Sequence, residues 1–140
     1  MQELLNLLKL HEGFVSHCYD CSEGYKTIGF GRLIDKKLGG GITEEEAEYL
    51  LKNDVNKSVN VLQNKLDFFS ELSEVRKTVL IDMYFNMGNR LFKFEKTLEH
   101  IKNKNFTKAA EEMLNSRWAG QVGQRAVRLS KMMESDEYPF

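Results

Sequence analysis

His11-Glu12-Gly13, then Cys21, then Thr27-Ile28-Gly29-Phe30-Gly31, is the stretch on which the reading of this chain turns. A glutamate closes an apolar helical run. A second side chain able to act on water or on a bound molecule follows nine positions later, a threonine six beyond that, and a Gly-x-Gly turn ends the stretch. Cleavage of a glycosidic bond uses such convergence: one carboxylic acid protonates the leaving oxygen, and an opposing group acts on water or on the sugar. Taken alone, these residues imply a two-group hydrolase.

Working outward, Leu4, Leu5, Leu8 and Leu7 form an apolar stripe with helical spacing, which predicts a helix over 2–11, stopped by Gly13 with Glu12 at its end. Phe14 to Gly31 alternates poorly but carries Tyr19, Tyr25, Thr27, Ile28 and Phe30 with glycine punctuation, which predicts a hairpin or a three-stranded meander. Gly39-Gly40-Gly41 reads as a flexible connection. Thr43-Glu44-Glu45-Glu46 is a capping box, its acids suited to the positive end of a helix. Ala47, Leu50, Leu51, Val55, Val59 and Leu62 continue one apolar face over about five turns.

Beyond Phe68 and Phe69 the chain reads as short helices: 72–87 ended by Gly88, 94–104, one capped by Thr107, and a last over 124–133 after a break at Gly120 and Gly123. The expected fold is α+β within one domain, 1–140. A small β lobe near 13–41 is joined by a helix over 43–64 to a helical lobe, 65–140 plus helix 2–11, with a cleft beside the joining helix.

Composition sets bounds. The chain has 140 residues, 29% charged and 41% hydrophobic, with net charge −1, which fits an ordinary globular protein and argues against nucleic acid as the main partner. No apolar run approaches the ~20 residues of a membrane span. Met1 to Leu10 mimics a signal peptide, but it lacks a basic start and a small-residue cleavage site and is interrupted by Asn6 and Lys9, so a first helix without an export signal is expected. Cys18 and Cys21, three apart, are expected to be free thiols. Residues 1–88 hold 10 basic and 14 acidic side chains, and residues 89–140 hold 10 and 7. Such a basic C-terminal part would steer an anionic polymer, although a solvated face explains it as simply.

Each candidate has a plainer role. Glu12 could be a surface glutamate; its position between helix and strands argues for a catalytic acid. Cys21 could be a small buried hydrophobe. Asp20 competes with it for the second catalytic place, but neighbours on a strand point to opposite faces, so only one of the two can serve without a bulge. Thr27 could merely favour a strand. Trp118 could be a core aromatic, and Phe85 is expected to be one. Tyr25 and Asn86 would suit a cleft rim. A metal site built from His11, His17, Cys18 and Cys21 would need a second Cys pair or a His-Glu-x-x-His helix, and the chain has neither.

The spacing E-x8-C-x5-T resembles the catalytic signature of the phage-type lysozymes (glycoside hydrolase family 24), where aspartate or, in some members, cysteine takes the middle place. Glu23-Gly24-Tyr25-Lys26-Thr27-Ile28-Gly29 resembles that family's EGYxTIG strand. Gly41-Ile42-Thr43 with Glu46-Ala47-Glu48, Phe85-Asn86-Met87-Gly88, and Ser116-Arg117-Trp118 with Arg125 follow in the family's order. T-even phage lysozymes are the members it resembles, with a shorter stretch between Gly31 and Gly41.

The resemblance implies an endolysin that hydrolyses the β-1,4 bond between N-acetylmuramic acid and N-acetylglucosamine in bacterial peptidoglycan, as a monomer, without cofactor, metal, nucleic acid or membrane insertion. Release to the wall would depend on a holin. Glu12 would be the general acid, with Arg125 as its counter-charge. Cys21 and Thr27 would align or activate water, with inversion at the anomeric carbon, and Tyr25, Asn86 and Trp118 would support the substrate. A neighbouring Glu12 carboxylate and burial would both push the Cys21 thiol above its ordinary pKa. The other reading is a wall-binding or regulatory module with a weakened site, which Cys21 makes conceivable.

Overall fold

The computed structural model describes residues 1–140 and divides them into two compact units, Met1–Leu50 and Leu51–Phe140. The first contains α1 (Gln2–Glu12), β1 (Val15–Asp20), β2 (Lys26–Gly29), β3 (Arg32–Leu33) and the opening turns of α2 (Glu44–Lys65). Gly13 ends α1 at φ 69°, its N–H donating to the Lys9 carbonyl at 3.0 Å. The first unit does not bury the leucine stripe: Leu4, Leu5, Leu7 and Leu8 are 42–54% exposed.

The strands form an antiparallel meander in the order β1-β2-β3. Tyr19 pairs with Thr27 and Asp20 with Lys26, and the register shifts between Val15 and Tyr19. That irregularity lies before Asp20 and Cys21, so alternation holds across the positions that matter for the site.

After β3 the triple glycine is a folded turn, not the loose connection expected. The Asp35 side chain accepts from the Lys37 amide to cap a 3-10 turn, and the Gly40 N–H donates to the Asp35 carbonyl at 2.9 Å. A Cβ on Gly40 would lie 2.8 Å from the Asp35 backbone nitrogen, so the chain passes itself too closely for any other residue.

The capping box forms as its residues dictate. The Glu46 amide donates to Thr43 Oγ1 at 3.1 Å and the Thr43 amide to Glu46 Oε1 at 3.0 Å. Arg32 Nη2 donates to the same Glu46 oxygen at 2.7 Å and its Nε to the Gly41 carbonyl at 3.3 Å, which ties β3 to the start of α2. Along α2 only Ser58 and Leu62 are buried, while Leu50 and Leu51 remain half exposed.

The second unit completes α2 and adds α3 (Glu74–Met87), α4 (Glu95–Lys102), α5 (Phe106–Leu114), α6 (Arg117–Val122) and α7 (Gln124–Ser135). Its core gathers Leu62, Val79, Leu80, Met83, Leu91, Ile101, Met113 and Met133, each no more than 1% exposed. Each such side chain contributes roughly 1.5–3 kcal/mol of burial, an upper figure because unfolded chains are partly compact. Ser73 caps α3, and Arg76 stacks 3.5 Å from the centre of the Phe106 ring while its Nε donates to the Met133 carbonyl.

Three helical expectations are corrected. Thr107 lies inside α5, whose preceding residue is Asn105. Gly120 does not break the chain: it sits within α6, which Ser116 caps and a buried Trp118 anchors, so the stop falls at Gly123 alone, at φ 57°. Phe85 is 48% exposed, because the buried stripe of α3 runs through Val79, Leu80, Met83 and Met87 and leaves Phe85 outside it.

Candidate active site

Glu12 is the last residue of α1. Its carboxylate lies against the backbone of Gly31 in the tight β2–β3 turn, where a Cβ would come within 2.9 Å of Glu12 Cδ. Gly31 has φ 71°, a conformation that L side chains rarely adopt, so both the turn and the carboxylate require glycine here. The Gly-x-Gly motif was the signal for this, although sequence reading took it only as a turn.

Asp20 and Cys21, the two competitors, are separated by strand alternation. Asp20 faces Lys26, whose ammonium donates to it at 2.6 Å, an exposed pair on one face of the hairpin. Cys21 sits just past β1 at the head of a tight turn: its amide donates to the Tyr25 carbonyl at 2.9 Å, and Gly24 N–H donates to the Cys21 carbonyl at 2.8 Å. That turn aims the Tyr25 and Glu23 amides at the thiol and brings the Thr27 side chain to it.

The electrostatics of Cys21 correct the expectation. Hydrogen bonding from the Tyr25 amide, then from that of Glu23, holds the thiol below its ordinary pKa, with Thr27 adding in the same sense. Partial burial and the Glu23 carboxylate push the other way and lose. Both cysteines are free thiols.

Thr27 is buried, 4% exposed, and its hydroxyl donates to the Tyr25 carbonyl at 2.9 Å. A hydroxyl has one proton, which Thr27 gives either to that carbonyl or to the Cys21 thiolate, while its lone pairs can accept from a water. Tyr25 thus serves this turn chiefly through its backbone.

The remaining candidates lie in the second unit. Trp118 is buried, packs edge-on to Phe94 with centroids 6.2 Å apart, and donates its indole N–H to Asn86 Oδ1 at 2.9 Å. Asn86, at the end of α3, is thereby oriented from α6. Arg125 Nε donates to Asp82 Oδ1 at 2.7 Å, a carboxylate that sequence reading did not place beside it. The residues lie 43 positions apart, and no local pattern marks Asp82.

A family model described as phage lysozyme matches residues 9–133. The chain belongs to the phage lysozyme family. Among curated relatives it is 30% identical to "Probable T4-type lysozyme 1" of Dictyostelium discoideum, over 96% of this chain and 95% of the relative. It is 30% identical to the "Endolysin" of Bacillus phage B103, over 97% of this chain but 51% of that protein. It is 26% identical to the "Endolysin" of Acyrthosiphon pisum secondary endosymbiont phage 1, over 86% and 82%. The first alignment runs over 162 positions against a chain of 140, so the Dictyostelium protein carries residues this one lacks. Family membership makes this a lysozyme of the α+β, T4-like kind, a glycoside hydrolase family that acts on peptidoglycan. No helix is long and apolar enough to cross a membrane.

Proposed function

We propose that the protein hydrolyses the β-1,4 bond between N-acetylmuramic acid and N-acetylglucosamine, and that residues 1–140 work as one lysozyme domain, monomeric and without cofactor. The observation that carries this reading is the pairing of Cys21 with Thr27 on the hairpin that follows Glu12, with Asp20 held by Lys26. Glu12 gives its proton to the glycosidic oxygen as the bond to the anomeric carbon breaks. A water held by Thr27 Oγ1 and Cys21 Sγ attacks that carbon from the other face, and the thiolate takes the proton the water sheds. Configuration inverts, and solvent restores both groups. Amides aimed at the sulfur keep a larger share of it ionised near neutral pH, which suits a base.

Host lysis follows if the enzyme reaches the wall, for which a holin is the proposed route. Clearing of chloroform-treated Gram-negative cells tests the reading. Falling turbidity with new reducing ends supports it, whereas co-sedimentation with wall without new reducing ends identifies a binding module.

A further inference from the structure

The loop that joins β1 to β2 does more than reverse the chain. Tyr19 pairs with Thr27 and Asp20 with Lys26, so Cys21 stands opposite Tyr25 at the mouth of the loop. The Cys21 amide donates to the Tyr25 carbonyl at 2.9 Å. A regular antiparallel pair of this kind exchanges two bonds, the second running from the Tyr25 amide to the Cys21 carbonyl. Here that carbonyl accepts instead from the Gly24 amide at 2.8 Å, with Gly24 at φ 84°, which is the three-residue hairpin loop closed by a glycine bulge. The Tyr25 amide is thereby released from the ladder and turned to the Cys21 sulfur, together with the amide of Glu23. On its other side Tyr25 is fixed, because its carbonyl also accepts from the Thr27 hydroxyl at 2.9 Å. The direction of the freed amide is left to Gly24.

We propose, resting on the hydrolase reading, that Gly24 is a positioning residue for the reaction: its left-handed backbone diverts the bond at the Cys21 carbonyl and so delivers the Tyr25 and Glu23 amides to the sulfur. Fixed amide donors hold an anionic acceptor more strongly than a neutral one, so they favour the thiolate. A Cβ on Gly24 would meet nothing within 4 Å, so the position demands a conformation and not space. Alanine is strained at φ 84° and would draw the loop toward negative φ, returning the Tyr25 amide to the ladder. Asparagine tolerates left-handed backbone and would keep the bulge.

The test uses the full chain with Cys18→Ser as the parent, so that alkylation by iodoacetamide reads Cys21 alone. Gly24→Ala should raise the pH midpoint of alkylation toward the free-cysteine value of ~8.5 and lower wall clearing at neutral pH about threefold or more, the loss closing as pH is raised. Gly24→Asn should keep both close to those of the parent. A glycine that merely lets the chain turn would lower the melting temperature of Gly24→Ala and leave its midpoint in place, which overturns the proposal. A midpoint raised equally in Gly24→Asn, or a raised midpoint with clearing unchanged, overturns it as well. Proton NMR of the parent keeps the proposal open to refutation even where the alanine variant does not fold. The Tyr25 and Glu23 amide protons should move downfield with the Cys21 midpoint, and amides that ignore that midpoint refute it. Reducing-end release from wall is measured separately. Its absence in the parent chain sinks the hydrolase reading, whereas its presence together with an unmoved midpoint in Gly24→Ala sinks only the role of Gly24.

Discussion

The carboxylate of Glu12 and the backbone of Gly31 occupy adjoining space with nothing between them: a methyl on Gly31 would come within 2.9 Å of Glu12 Cδ. The end of a helix and a strand turn are thereby fitted to each other at the residue proposed to deliver the proton. Gly31→Ala should therefore do two things. It places an L side chain at φ 71°, at a stability cost on the order of 1 kcal/mol, and it displaces the carboxylate. We expect clearing activity to fall at least tenfold, more than the drop in melting temperature explains, because a misplaced acid costs rate steeply. Full activity in a chain of lowered stability would show that the contact does not position Glu12.

Glu12→Gln keeps the shape of the side chain and removes the proton it would donate. The expected result is a folded protein with unchanged melting and a rate lowered by about 10²–10⁴, the usual contribution of a general acid. A loss of only a few-fold would remove Glu12 from that role.

Cys21 should alkylate as an activated thiol. Amide hydrogen bonds lower its pKa, so the thiolate forms at lower pH than in a free cysteine, for which half-ionisation falls near ~8.5. Iodoacetamide reaction rates followed against pH should therefore reach their midpoint below that value. If the thiolate is the base, activity climbs through the same lowered midpoint. Alkylation should abolish clearing, and Cys18→Ser should not prevent the loss. Cys21→Asp should remain active and Cys21→Ala should not. Asp20→Ala with no activity beside a normal Cys21→Ala would reassign the second catalytic group to Asp20.

Arg125 and Asp82 form a close but half-open pair, their side chains 38% and 39% exposed. Solvent screening at such exposure limits the coupling to about 1 kcal/mol or less. Arg125→Ala should therefore destabilise modestly, and a cycle with Asp82→Asn should recover most of that effect. A coupling of several kcal/mol, read from thermal melts of the four proteins, would show a far more buried pair than the structure has.

Glu46 links stability to pH. The Thr43 amide first, then the Thr43 hydroxyl and Arg32, hold its carboxyl below the ordinary carboxylate range, with slight burial opposing. A depressed folded pKa contributes stability above the unfolded value of ~4.3 and loses it as pH falls through the folded one. Melting temperature should thus rise with pH across that window, and Glu46→Gln should flatten the rise. An identical slope in the variant would exclude Glu46 as its source.

What could be read from the sequence followed the range of the forces involved. The capping box at Thr43 is a contact across three residues, and it formed as written. The alternation that assigns Cys21 and Asp20 to different faces is equally local. Helix α6 was missed because Gly120 has poor helix propensity, a weak preference that the Ser116 cap and the burial of Trp118 override. The acidity of Cys21 was misjudged in sign: spacing reveals charges nearby but not the turn that aims two amides at the sulfur. The Arg125 partner lay 43 residues away, where no periodicity reaches.

Trp118 is the sole tryptophan of the chain and belongs to the second unit, whereas both cysteines belong to the first. Nature has in effect labelled each half with its own probe. Indole emission follows the melting of the helical part and is blind to the strands. In a Cys18→Ser chain, the lowered midpoint of Cys21 labelling exists only while its turn holds the amides at the sulfur, so it reports on the strands and is blind to the helices. A denaturation series read by both at once therefore reports, without any engineered tag, whether the 22 residues of α2 transmit unfolding from one half to the other or let each melt at its own midpoint.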